Sequence, residues 1–169
     1  ANPTVTNAQG DTNSLRFTNT REDSVQTAEA GLRFKFNTGG VKHTVSTSAS
    51  VFELESRNAF AFSSFAGFSG NIYNPMPVDE PPANAFLGGD LGNPLVTAKT
   101  ETSSLAIADT LALLNDQLLV TVGARRQTIE STSFDFNSGA QTDNYSESAT
   151  TPVAGVVYKI NPQYSVYAN

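Results

Sequence analysis

The chain has 169 residues, a formal net charge of −6 and no cysteine. The acidic balance argues against a general nucleic-acid binder, and the missing thiols exclude disulfides, thiolate metal sites and thiol nucleophiles together. Hydrophobic residues make up 38% with a mean hydropathy of −0.24 and no run long enough for a transmembrane helix, yet a β-barrel escapes that test because only every second residue of its strands meets lipid.

Helical periodicity is almost absent and Ser, Thr, Asn and Gly abound, so the chain reads as all-β. It starts at Ala1 without an initiator Met and stops at Asn169 inside an expected strand, so it reads as a processed or excised piece. Residues 1–12 are polar and turn-rich, a loop or a fraying strand top. A short strand is expected over 14–20, with Leu15 and Phe17 on one face, followed by a charged connection, Arg21-Glu22-Asp23-Ser24. Residues 25–36 alternate clearly. Ala28, Ala30, Leu32, Phe34 and Phe36 face one way; Thr27, Glu29, Gly31, Arg33 and Lys35 face the other. Asn37-Thr38-Gly39-Gly40 is a turn by composition.

The return strand, 41–56, puts Val41, Val45, Ala49 and Val51 opposite Lys42, Thr44, Ser46, Ser48 and Ser50. Its parity changes at Phe52 and Leu54, as a bulge or emergence from a bilayer would cause. Residues 57–96 form a long irregular stretch with five of the eight prolines and five of the eleven phenylalanines. Linkers rarely carry so many rings, so an ordered or ligand-gated loop is favoured over a domain linker. The next strand, 97–114, aligns Leu105, Ile107, Leu111 and Leu113, but Asp109 breaks that face. A bare carboxylate toward lipid is costly, so a bulge turning it inward or an interfacial position is expected.

After the tight turn Asn115-Asp116-Gln117, a strand over 118–136 sets Leu118, Val120, Val122 and Ala124 against Leu119, Thr121, Gly123, Arg125 and Gln127. Its length far exceeds the about 5–6 residues of ordinary strands and suits a transmembrane strand of about 9–11 residues that continues past the membrane. A polar loop at 137–147, a strand at 149–160, the turn Asn161-Pro162-Gln163 and a last strand from Tyr164 complete the chain. Short turns thus alternate with long or polar connections, the layout of an outer-membrane barrel. Phe36, Tyr158 and Tyr164 would mark the short-turn aromatic girdle.

No catalytic set emerges. His43 is the sole histidine; it sits beside Lys42 near a turn with no partner in view and reads as interfacial or solvent-facing. Asp79-Glu80 and Asp90 read as solvated loop acids, and no spaced metal-ligand set, glycosidase carboxylate pair or phosphate-binding loop appears. The chain is therefore not expected to be an enzyme.

Taken in order, Asp109, Gly123-Ala124-Arg125, Thr151-Pro152, Gly155, Tyr158 and Ser165 with Tyr167-Ala168-Asn169 resemble the barrel of TonB-dependent ferric-siderophore receptors. The stretch Asn71-Ile72-Tyr73-Asn74-Pro75-Met76-Pro77 is similar to their long outer loops. The resemblance implies that residues 1–169 are part of an antiparallel barrel of about 22 strands in the bacterial outer membrane, with 57–96 an extracellular loop. It implies a ferric siderophore as transported ligand, no bound cofactor or metal, and outer-membrane lipid, an absent plug domain and the TonB complex as partners. On that reading the ligand would meet Phe60, Phe62, Phe65, Phe68 and Tyr73 of the loop and Arg125 of the lumen. Arg33, Lys35 and Arg125 could equally contact a plug or pair with nearby acids, and the phenylalanines could simply pack the loop. A soluble or surface-exposed all-β binding or adhesion module is the alternative.

Overall fold

A computed structural model describes residues 3–63, 67–77 and 84–169. Its elements are β1 (Thr4–Val5), β2 (Asp11–Ser14), β3 (Phe17–Thr38), β4 (Val41–Phe62), β5 (Phe68–Asn71), β6 (Phe86–Gly88), β7 (Val96–Leu113), β8 (Leu118–Phe134), β9 (Gln141–Lys159) and β10 (Ser165–Ala168). All are strands, so the all-β expectation holds. One sheet follows the order β10-β9-β8-β7-β4-β3, with β6 added beside β4; a second has the order β1-β2-β5. β1 and β5 both run antiparallel to β2, as β10 does to β9.

The five long strands span 22, 22, 18, 17 and 19 residues. That is roughly one and a half to two and a half times the ~9–11 residues a membrane crossing needs. Two units can be separated. One comprises Ala1–Ser24, Glu55–Lys99 and Thr132–Asp143; the other comprises Val25–Leu54, Thr100–Ser131 and Asn144–Asn169.

The second unit carries the alternation foreseen from the residues. Leu32, Phe34 and Phe36 of β3 are about half exposed or more, as are Leu105 and Ile107 of β7 and Val122 of β8. The opposite face is tied by polar side chains. Ser50 and Ser104 share a hydrogen bond of 2.8 Å, Thr110 and Thr121 one of 2.9 Å, and the Arg125 guanidinium donates to Ser104 Oγ at 3.1 Å. The largely apolar face of β7 runs nine residues, Leu105 to Leu113, exposed at Leu105 and Ile107 and half-buried beyond, close to one transmembrane stretch. Short turns close its hairpins. Leu114, Asn115 and Asp116 all take positive φ, so the second turn begins one residue before the expected Asn115.

The buried apolar side chains among the described residues, Ala59, Ala61 and Pro94, all belong to the first unit, and Ala59 and Ala61 are fully enclosed. Here several sequence expectations give way. Arg21-Glu22-Asp23-Ser24 is not a connection; it lies inside β3. Arg21 pairs with Asp23, two residues along the same face, at 3.0 Å, and Ser56 Oγ donates to Asp23 at 2.6 Å. Nearby, Asn19 Nδ2 reaches Asn58 Oδ1 and the Ala59 carbonyl. Lateral polar contacts hold a strand that shows no apolar period. The stretch 57–96 is likewise not wholly irregular: β4 runs on to Phe62, and β5 and β6 lie within it. The loop expected at 137–147 shrinks to a turn, because β9 begins at Gln141. At the chain start, β1 and β2 occupy part of the presumed loop, and β3 begins at Phe17 rather than Ser14.

Candidate functional site

The segment after β5 forms a presented tip. Asn71 is its hub. Its Nδ2 donates to the Gln9 carbonyl at 3.0 Å and to Asp11 Oδ1 at 2.9 Å, while its Oδ1 accepts the backbone N–H groups of Tyr73 and Asn74. This is an Asx-type turn, in which a short amide side chain replaces a backbone partner. Asn7 Nδ2 completes the net on Asp11 Oδ2 at 2.7 Å, and the Gly10 carbonyl accepts the Ile72 N–H at 2.9 Å. Gly10 takes φ +83°, and a Cβ there would stand 2.5 Å from the Tyr73 ring, so only glycine lets the ring lie against this backbone. Above the net, Tyr73 and Met76 remain 74% and 70% exposed. An aromatic ring and a thioether held open on a fixed turn are suited to a ligand with apolar surface.

The Asn7 and Asn71 hydrogen bonds hold the Asp11 carboxyl below the ordinary aspartate value. A lowered native pKa means that the stabilisation is complete above the unfolded value of about 3.9 and disappears as pH falls through the native one. The tip is therefore expected to keep its structure at neutral pH and to loosen only below about pH 4. Amide hydrogen exchange at Tyr73 and Asn74 would reveal this; in Asp11→Asn the acid step should vanish.

The other loop rings are engaged. Phe60 packs edge-on against Phe62 and Phe136, with centroids 5.6 and 5.1 Å apart, and Phe62 leans on Phe17 at 4.9 Å. Phe68 opens β5, with its backbone opposite Ser14. Phe65, like Asp79-Glu80, lies outside the described residues. Arg125 belongs to the second unit. It lines a groove of about 420 Å³ with Gly31, Arg33, Ser46, Ser48, Ala106 and Ala108 among others. Arg33 and Arg125 line it beside small side chains and the apolar Leu32, Ile107 and Val153.

His43 departs from expectation. It has a partner 66 residues away: its Nδ1 lies 2.6 Å from Asp109 Oδ2. The imidazole also stacks on Phe36, centroids 4.8 Å apart and rings within 4° of parallel. His43 and Asp109 side chains are 16% and 26% exposed. Asp109 keeps the register of Leu105 and Ile107 on an unbroken β7, so the carboxylate stays on the apolar face and is compensated there by His43. Sequence spacing could not reveal this pair, because β4 and β7 become neighbours only through the sheet order. Among the described residues no group of three or more His, Cys, Asp and Glu is placed to hold a metal ion.

Comparison with known proteins follows from this geometry. The family model described as TonB dependent receptor-like, beta-barrel, matches residues 2–169. The chain is 29% identical over 168 residues to the ferrichrome receptor FcuA of Yersinia enterocolitica, covering 99% of this chain and 22% of that protein. The structure resembles that of BauA, the ferric preacinetobactin receptor of Acinetobacter baumannii, with a TM-score of 0.69 and 28% identity, over 98% of this chain and 24% of that one. The siderophore receptor PiuA of the same organism shares the fold, with a TM-score of 0.57 at 15% identity over 94% of this chain and 24% of its own. The chain thus spans under a quarter of the length of these relatives.

Proposed function

The chain belongs to the TonB-dependent receptor β-barrel family, and from that premise we propose that it supplies wall strands and an outer loop of a bacterial outer-membrane receptor importing a ferric siderophore. The observation that carries this reading is the alternation in the second unit. Leu32, Leu105 and Ile107 stand 64%, 64% and 55% exposed on continuous strands, and such stripes on strands of this length suit a lipid-facing barrel wall. The opposite, polar face then lines the lumen, where Arg33, Lys35 and Arg125 would meet a plug domain or the anionic chelate. Residues 57–96 would reach the outer medium. A soluble adhesion module offers no account of the open apolar stripes.

Tyr73 is the most exposed ring among the loop's described residues, and Met76 and Ile72 extend its surface. Phe60, Phe62 and Phe68 would act with it through the shape of the loop, and Arg125 from the lumen. The relatives nominate two ligands to try first, ferrichrome and ferric preacinetobactin. The full-length receptor, expressed as the sole iron-uptake route of starved cells, should import iron-55 carried by a siderophore and cease when TonB is removed. Uptake that persists without TonB, or no uptake from any ferric siderophore, would sink the proposal. Once the ligand is known, Tyr73→Ala should raise its Kd roughly tenfold to thirtyfold, the usual cost of truncating an aromatic anchor; equilibrium binding to whole cells measures it.

A further inference from the structure

His43 and Asp109 form a polar, partly exposed pair in the apolar face, and we infer that it is a binding site for the primary ammonium of an aminophospholipid head group. The inference rests on the reading that this face meets lipid. Its chemistry comes from two groups on adjacent strands. Asp109 accepts from His43 Nδ1, so with a neutral imidazole the pair carries one negative charge and Nε2 offers a lone pair. Asp109 Oδ1 is buried without a partner, which leaves His43 as the carboxylate's sole compensation among the described residues. The Phe36 ring stacks on the imidazole and fixes its plane.

Position supports the same ligand. His43 is the third residue of β4, about 10 Å of strand at most from the hairpin turn. That is the depth of the border between head groups and hydrocarbon on the short-turn side. Lys42, next to it, does not neutralise the pair: its Nζ is held by Asp116 at 2.6 Å. A primary ammonium can donate to Nε2 of the imidazole whose Nδ1 is held by the Asp109 carboxylate. A choline head group has no N–H to donate, and a glycerol phosphate brings only negative charge.

The test uses the full-length receptor, stripped of lipid in detergent and observed intact by native mass spectrometry. Equimolar phosphatidylethanolamine, phosphatidylcholine and phosphatidylglycerol with identical acyl chains are added. Phosphatidylethanolamine should be retained about fivefold over the other two, the worth of one net hydrogen bond. The excess should vanish in His43→Phe/Asp109→Leu, which keeps a ring against Phe36 and leaves no charge unpaired. Equal retention of the three lipids by the unaltered receptor overturns the inference without any variant, and so does an excess that survives the double substitution. A receptor that stays monodisperse without detergent overturns both the lipid-facing reading and this site; normal detergent dependence with no lipid preference overturns the site alone.

Discussion

Replacing Gly123 with valine is expected to destabilise the β7–β8 hairpin by about 3 kcal/mol or more, among the largest costs a single residue can impose here. A Cβ at position 123 would stand 2.5 Å from the Ile107 carbonyl oxygen, 2.7 Å from Ala108 Cβ and 2.8 Å from Ala108 Cα. None of these is the end of a flexible side chain. The strands must part, and the flanking contacts, Thr110 to Thr121 and Arg125 to Ser104, part with them. Folded barrels resist detergent and migrate anomalously until heated, so the full-length variant should lose its compact gel band at a markedly lower temperature. Gly155→Ala is the control: its nearest contact would be 3.8 Å, ordinary packing, and its band should not move. An unchanged midpoint for Gly123→Val would mean that β7 and β8 do not approach as closely as described.

The second large effect is expected at His43. In His43→Leu the Asp109 carboxylate remains on the apolar face without its counterpart. Removing one member of a buried pair costs several kcal/mol; because both side chains keep some exposure, about 2 kcal/mol is expected. The double variant His43→Leu/Asp109→Leu should recover most of the loss, since two apolar residues suit that face. The diagnostic is this non-additivity, measured by urea unfolding of the full-length receptor in lipid vesicles. Additive losses would show that the 2.6 Å contact does not couple the two residues.

The parts of the chain legible from the residues alone are those where one face must be apolar. Leu105, Ile107, Val122 and Leu32 declare their strands because a one-residue slip would carry each to the polar side. Where strands run beyond that band, both faces become polar and the period disappears. Arg21-Glu22-Asp23 and the stretch from Gln141 to Glu147 look like connections for this reason, although they are ordinary ladder positions. Their order comes from Ser56 on Asp23 and Asn144 on Glu130, partners remote in sequence. The candidate site divides similarly. Tyr73 was visible as a loop aromatic, but Asn71 as its anchor was not, because its partners Gln9 and Asp11 lie about sixty positions upstream. Phe60 and Phe62 read from the sequence either as ligand contacts or as packing, and their ring contacts with Phe136 and Phe17 join residues far apart in sequence.

The tip around Tyr73 is fastened by side-chain amides and a small three-stranded sheet, and the side chains of Ile72, Tyr73 and Met76 make none of its hydrogen bonds. Ile72, Tyr73 and Met76 can therefore be exchanged while Asn7, Asp11 and Asn71 hold the turn. Mutational drift at these three positions carries little folding penalty, so a lineage could change its cargo preference by point substitution alone. The same separation makes the tip a natural place for selected libraries: diversity confined to three codons, on a frame that tolerates it.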